Sequence, residues 1–458
     1  MQETASKIVV VGTGYVGLTT GVCLAYLGNH VACVDTNSYV IKQLCQGEVP
    51  ITEPGIADLM QRNVANLYFT TNLDEVLTEA DIVIIAVGTP AKPNGATDMS
   101  YLEAVAKEIG ANLTGNKKLV IVNKSTAPIG SAQRVKTVID YTLLNRGIHC
   151  DYSVVSNPEF LQEGAAVLNT LYPNRIVVGS DNEEAVSLLY QLYSPILNQT
   201  FIPPADMPRP QNYQLPAFIT TNPTSAELIK YASNAFLATK ISFINEIAGL
   251  AEKVGADIKE VALGIGLDPR IGKRYLEAGI GWGGSCFGKD LKSIINDASH
   301  YGYPMNLLES TLQVNYRQRY IVIRKLQQAL KIIRGSVIGI MGLAFKPDTA
   351  DLRDAPSIDI IMKLIELGAQ VKAYDPQAMH NFRQHYSELE IEYCQDVLSL
   401  SKNCDALILV TEWSEFSSIS WEVVGAGMRQ RVFIDGRNMF DAQTLQLQGF
   451  VYKGFGRL

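Results

Sequence analysis

The sequence has no apolar run long enough to cross a bilayer. Its longest, such as Ile82 to Val87 and Ala406 to Val410, fall far short of the roughly 18 to 20 residues that a spanning helix needs. A helical membrane protein is therefore excluded, no membrane partner is expected, and the chain reads as soluble. Basic charge is also in short supply: Lys and Arg number 39 against 46 Asp and Glu, a net charge of −7. The basic stripe of a nucleic-acid binder is missing, so no nucleic-acid partner is expected. No C-x-x-C pair occurs among the seven cysteines, and an odd number fits reduced thiols better than a disulfide framework. No metal centre is predicted. A basic segment followed by an apolar core, as secretion requires, is not found ahead of the strand pattern at Ile8 to Val11, and a cytoplasmic setting is expected.

What is present is ample core material. Apolar residues make up 47% of the 458 and charged residues 19%, and at about 150 residues per domain the length suggests about three domains. Residues 7 to 35 read as one βαβ unit: a strand at Ile8 to Val11, a glycine-rich turn, a helix from Val16 to Leu27, and a strand from Val31 to Val34 ending at Asp35. Further buried strands are predicted at Ile82 to Val87, Leu119 to Val122, Ser153 to Val155 and Ile176 to Val178, separated by helix-length segments. Such alternation predicts an α/β fold with a doubly wound sheet.

The end of the chain repeats this plan. Val337 to Met341 reads as a strand, Pro356 to Leu367 as a helix, and Val371 to Tyr374 as a strand ending at Asp375. Asp74, Val76, Leu77 and Asp81 before the strand at Ile82 are echoed by Asp396, Val397, Leu398 and Asp405 before Leu407 to Val410. Two Rossmann-like domains are expected, at 1–222 and 335–458, joined by a central helical region at 223–334. In that region Pro223, Thr224 and Ser225 signal a helix start, and long helices are predicted over 226–254 and 305–333. The six prolines from Asn198 to Pro223 predict an extended surface loop.

Gly12-x-Gly14-x-x-Gly17 lies between a predicted strand and helix, with Asp35 ending the next strand. The first glycine permits a tight turn, the second lets backbone approach a pyrophosphate, and the third allows close helix packing, while the helix N-terminus offers amide donors. Asp35 can accept hydrogen bonds from a ribose diol and would repel a 2′-phosphate, which predicts NAD rather than NADP. Val87-Gly88-Thr89-Pro90 and Lys124-Ser125-Thr126 follow later strands, where ligands of open α/β sheets sit.

The segment from Gly279 to Asp290 is dense in glycine around one cysteine, Cys286. A packing cysteine needs no such loop. Lys289 supplies a positive charge that could lower the thiol pKa, and Asp290 a carboxylate. Asn157-Pro158 is a helix-start signal that would put Glu159 and Glu163 in a first turn. Lys230 and Asn234, four apart on the long predicted helix, share one face.

Gly12-Thr13-Gly14-Tyr15-Val16-Gly17, Asn157-Pro158-Glu159-Phe160-Leu161-Gln162-Glu163-Gly164, Ala226-Glu227, Gly283-Gly284-Ser285-Cys286-Phe287, Gly342-Leu343-Ala344-Phe345-Lys346 and Asp435-Gly436-Arg437 together resemble the UDP-glucose/GDP-mannose dehydrogenase family over nearly the whole chain. The resemblance implies NAD in the first domain, a dimerising helical middle and a UDP-sugar site in the last. It implies a four-electron oxidation of the C6 alcohol of UDP-glucose to UDP-glucuronate, through a thiohemiacetal and a thioester on Cys286. Lys230 and Asn234 would face the reacting oxygen. Asp290 would position water or share proton transfer with Lys230, and Glu159 with Thr126 would assist thioester hydrolysis. Tyr15, Val16, Thr89, Thr126, Glu163 and Arg353 would join the glycines and Asp35 around the cofactor. Phe160, Leu161, Tyr275, Gly283, Phe345, Lys346 and Arg437 would line the sugar nucleotide, and Arg270 would cross to the substrate of a second subunit.

Three positions depart from the family pattern: Val40 where a basic residue is common, Gly288 where proline is, and Trp282 in place of phenylalanine. GDP-mannose and UDP-N-acetylhexosamines are the alternative substrates. A two-electron hydroxyacid-type dehydrogenase, which needs neither Cys286 nor a second Rossmann half, and a non-catalytic NAD-dependent binding protein are the rival functions.

Overall fold

The computed structural model describes residues 5–115 and 118–457, and divides into two compact units, Met1–Ala232 and Ser233–Leu458. In the first unit the strands are β1 (Lys7–Val11), β2 (His30–Val34), β3 (Leu67–Thr70), β4 (Ile82–Ile85), β5 (Leu119–Asn123), β6 (Tyr152–Ser156), β7 (Arg175–Gly179) and β8 (Ala217–Thr221). They lie in the order β3-β2-β1-β4-β5-β6-β7-β8. The first six are parallel, β7 is antiparallel to β6, and β8 is parallel to β7. All four residues of β4 are buried, as expected of a central strand covered on both faces. Alternate residues feed two cores: Val10, Ile84 and Val122 on one face, Val9, Val83 and Ile121 on the other.

The helix Pro223–Val254 carries the chain into the second unit. There the helices Ile258–Gly266, Phe287–His300 and Asn306–Leu330 precede a second sheet. Its strands β9 (Val337–Met341), β10 (Gln370–Tyr374), β11 (Ile391–Tyr393), β12 (Ala406–Leu409), β13 (Val432–Asp435) and β14 (Val451–Lys453) are all parallel, in the order β11-β10-β9-β12-β13-β14. This is the β3-β2-β1-β4-β5-β6 order again. The repeat extends to single bonds: the Lys7 amide donates to Asp81 Oδ2 at 2.8 Å, and the Val337 amide to Asp405 Oδ2 at 2.8 Å. No described helix is long and apolar enough to cross a membrane.

Two expectations need correction. The proline-rich segment 198–223 is not simply a surface loop. It ends in edge strand β8, and Phe201, Met207 and Tyr213 pack on a buried cluster. The segment is also tied down by Tyr213 Oη to the Pro173 carbonyl at 2.6 Å and by Arg209 to the Gln199 carbonyl at 2.9 Å. Proline stiffness here fixes a strap rather than freeing a loop. Secondly, Asn157-Pro158 does not start a helix; the next begins at Ala166. Asn157 is buried and spends its amide on the Val177 carbonyl and its oxygen on Lys124 and Tyr193, leaving nothing for capping.

Candidate active site

The glycine turn between β1 and the helix Tyr15–Tyr26 fits a dinucleotide. Gly12 stands at φ +99°, and a Cβ there would meet the Ala86 carbonyl oxygen at 2.6 Å. A Cβ on Gly17 would overlap the Gly12 carbonyl oxygen, whereas a Cβ on Gly14 would meet nothing within 4 Å. Gly14 is thus the open position, and no side chain caps the helix there, so its N-terminal amides can receive an anion. Partly exposed Asp35 accepts from the Thr13 amide and hydroxyl, both at 2.8 Å, and from the Asn37 amide at 3.0 Å, which orients its carboxylate at the end of β2.

The second Rossmann half lacks this opening. Its counterpart acid, Asp375, is fully buried and accepts from Leu343, Ala344, Gln377 and Ala378 amides and from the Trp413 indole. A ribose has no place there, and the next helix waits until Pro356. Only the first half is built for a dinucleotide.

Beyond the ends of β5 and β6 lies a buried ion pair. Lys230 Nζ sits 2.7 Å from Glu159 Oε1, with the two side chains 5% and 7% exposed. Glu159 also accepts from the Leu161 amide at 2.6 Å and the Thr126 hydroxyl at 3.3 Å. Burial alone would push the Glu159 carboxyl up; the Lys230 ammonium, the Leu161 amide and Lys124 more than offset it and hold the group below the usual carboxylate range. Burial brings the Lys124 ammonium down to about 8, opposed by Glu159 and aided by Lys230. The Phe160 ring stacks under the Arg175 guanidinium at 3.9 Å, and Lys230 Nζ lies 5.5 Å from the same ring. Thr89 is buried, its hydroxyl given to the Thr126 carbonyl at 2.6 Å, so it fixes the loop that carries Thr126. Glu163 is half-buried in a turn closed by Gly164 at φ +81°. The structure therefore brings Thr126, Glu159 and Lys230 together.

In the second unit Cys286 is the exposed N-cap of the helix Phe287–His300. The helix dipole and amides at that position favour a thiolate. Asp290, fully buried in the first turn, accepts from Asn234 Nδ2 at 2.7 Å and pairs with Lys289 Nζ at 2.8 Å. Lys289, the positive charge that the sequence places near the thiol, pairs with Asp290. The glycines set the loop against the second Rossmann half. The Gly284 amide donates to the Arg353 carbonyl at 2.8 Å, and a Cβ on Gly284 would meet the Phe345 ring at 2.6 Å. Arg437 donates to the carbonyls of Gly281 at 2.9 Å and Phe345 at 3.3 Å.

Gly281, Gly284, Phe345 and Arg437 are accordingly one cluster, with Gly284 two residues ahead of Cys286 in the loop. Lys346 Nζ lies 5.6 Å from the Phe345 ring. Arg353 forks onto its neighbour Asp351, and Arg270, its side chain 88% exposed, onto Asp268. Tyr275 is half-buried in the left-handed region at φ +65°.

Two structural roles escaped the sequence reading. Arg319, buried on the helix Asn306–Leu330, donates to the carbonyls of Trp282 and Asp354 and pairs with the Asp354 and Asp359 carboxylates, holding the glycine loop in place. Nothing in its helical pattern marks it. Glu227, buried one turn before Lys230, could have been found from that spacing.

A cofactor turn in one Rossmann half, a sealed counterpart in the other, and a cysteine at a helix N-terminus together define an NAD-linked oxidoreductase of two Rossmann halves. Residues 6–197 match the NAD binding domain of the UDP-glucose/GDP-mannose dehydrogenase family, 224–317 its central domain and 339–442 its UDP binding domain. The chain belongs to that family. It is 43% identical over 453 residues to the UDP-glucose 6-dehydrogenase TuaD of Bacillus subtilis, covering 98% of this chain and 93% of that one. It is 42% identical to a UDP-glucose 6-dehydrogenase of Rhizobium meliloti, covering 98% and 99%. Among solved structures, a UDP-glucose dehydrogenase from the archaeon Pyrobaculum islandicum matches with a TM-score of 0.88 at 32% identity, covering 100% and 99% of the two chains. A UDP-D-ManNAc dehydrogenase from Pyrococcus horikoshii matches with a TM-score of 0.83 at 26% identity, covering 98% and 99%.

Proposed function

We propose that this chain oxidises UDP-glucose at C6 to UDP-glucuronate, using two NAD per sugar. The observation that carries the reading is an exposed cysteine at a helix N-terminus in a glycine-built loop, in a chain 43% identical to a UDP-glucose 6-dehydrogenase over nearly its full length. NAD bound at the Gly12–Gly17 turn supplies the hydride acceptor. Lys230 and Asn234 stabilise the developing alkoxide at the sugar oxygen, and the buried Glu159 carboxylate with Thr126 takes up protons. Once the alcohol has lost a proton and a hydride, the Cys286 thiolate adds to the aldehyde carbon. The resulting thiohemiacetal would lose its hydroxyl proton and, to a second NAD, a second hydride, giving a thioester. Water then attacks the carbonyl, held by Asp290, and the thiolate leaves.

Gly283, Phe345, Lys346 and Arg437 suit the sugar nucleotide, Lys346 as a cation for the diphosphate and Arg437 by holding the Gly281 and Phe345 carbonyls beside it. Phe236, Phe243 and Leu250 recur at seven-residue spacing on the helix Pro223–Val254 and are all exposed, which supports a homodimer through this face. Such a dimer would let Arg270 reach the partner's substrate. All seven cysteines stand outside disulfides, in keeping with a reducing, cytoplasmic setting.

The test is a panel of UDP-glucose, GDP-mannose and UDP-N-acetylhexosamines offered with NAD, together with Cys286→Ser. UDP-glucose should give the highest kcat/KM, and the variant should bind NAD normally yet complete no turnover. Turnover in the variant at the native rate would refute the covalent route.

A further inference from the structure

Glu227 is a buried carboxylate for which the chemistry above has no use. It is 5% exposed and accepts four hydrogen bonds: from the Gly130 amide at 2.6 Å, the Ser131 hydroxyl at 2.8 Å, the Ala132 amide at 2.9 Å and the Ser156 hydroxyl at 3.0 Å. Those donors lie on two separate elements. Gly130, Ser131 and Ala132 open the helix Ser131–Arg146, directly after the loop that carries Thr126. Ser156 ends β6, from which the chain runs through Asn157 to Glu159. Glu227 itself stands one helical turn before Lys230, on the same face.

One carboxylate thus ties together the three segments that present Thr126, Glu159 and Lys230. Asn123 extends the clamp by donating from Nδ2 to the Ser131 hydroxyl at 3.1 Å. Glu227, Lys230, Thr126 and Ser156 also line one small cavity, with room for about one water molecule.

We propose that Glu227 is a positioning residue: it sets the Lys230–Glu159–Thr126 geometry and touches neither substrate nor cofactor. The inference rests on the dehydrogenase reading for its kinetic consequence. Its structural consequence stands apart. Three donors converge on Glu227 Oε1 and one on Oε2. In Glu227→Gln the amide oxygen can keep the three, but the NH2 group then faces the Gly130 N–H, donor against donor. The helix start and the loop ahead of it must shift. A misplacement of about 1 Å at a reacting geometry can cost about a hundredfold in rate.

The experiment compares wild type, Glu227→Gln and Ser156→Ala as full chains, reading NAD affinity, kcat for UDP-glucose and thermal midpoint against pH. Glu227→Gln should lower kcat at least about tenfold while NAD affinity stays within about twofold. Its acid-side loss of thermal stability should be smaller than in the wild type, because a looser Lys230 lets the folded Glu159 carboxyl rise toward its unfolded value and narrows the pH span over which unfolding takes up its proton. Ser156→Ala, which removes one donor and leaves the carboxylate, should move both quantities the same way by less. Unchanged kcat and an unchanged acid limb in both variants would overturn the proposal, as would a kcat loss that merely follows lost NAD affinity. If Glu227→Gln does not fold, Ser156→Ala decides. A wild type that makes no NADH from UDP-glucose defeats the substrate reading alone, since the acid-limb shift still tests Glu227.

Discussion

Lys230→Met offers the sharpest physical test of the buried pair. The substitution keeps the length of the side chain and removes its charge, leaving Glu159 buried with the Leu161 amide, the Thr126 hydroxyl and Lys124. Removing one partner of a buried ion pair typically costs about 3 to 5 kcal/mol; with those contacts remaining, the lower end, about 3 kcal/mol at neutral pH, is expected. For a unit of the size of Met1–Ala232, each kcal/mol moves the midpoint by about 2 to 4 °C, so the transition should fall by about 6 to 12 °C.

The pH dependence carries a sign. In the wild type the Glu159 carboxyl is depressed, so its contribution is present above the unfolded carboxylate pKa and is lost as pH falls through the folded value. In Lys230→Met burial is no longer offset, the folded value rises, and the deficit should shrink as acidification neutralises the carboxyl. Calorimetry at pH 5 and pH 7.5, with the first unit's transition identified by its upward shift on adding NAD, gives the measurement. Lys230→Met/Glu159→Gln should recover at least half the loss. A deficit that is the same at both pH values, or no recovery in the double variant, would refute the reasoning.

Further outcomes follow from the same structure. Gly17→Ala should abolish NAD binding in a fluorescence titration, because the new methyl overlaps the Gly12 carbonyl oxygen and backbone must move. Asp35→Asn should cut the preference for NAD over NADP at least about tenfold in kcat/KM, since the charge that repels a 2′-phosphate is gone. Phe243→Asp, which puts a charge at the middle of the exposed seven-residue stripe, should shift the assembly toward monomer in light scattering, with little change in thermal midpoint for the single chain.

The strands that could be read, such as Ile82-Val83-Ile84-Ile85, were legible because they are largely buried β-branched runs and because glycine and acid punctuate the first βαβ unit, whereas the more exposed strands β3, β8, β11 and β14 carry no such signal. The internal repeat was legible in Asp81 and Asp405, whose shared task, receiving the amide of the first strand, explains why those positions match. What sequence misjudged was the destination of polar side chains. Asn157 reads as a cap, yet the fold draws it inward to Val177 and Lys124. Arg319 looks like an ordinary helix-surface charge until tertiary packing buries it. Local spacing carries no record of which face a neighbouring segment will cover.

The central claim is a four-electron oxidation, and the most direct test counts NADH formed per UDP-glucose consumed by the purified chain. Two NADH per sugar with UDP-glucuronate as product is the predicted result. One NADH per sugar, with the aldehyde or another two-electron product accumulating, would contradict it.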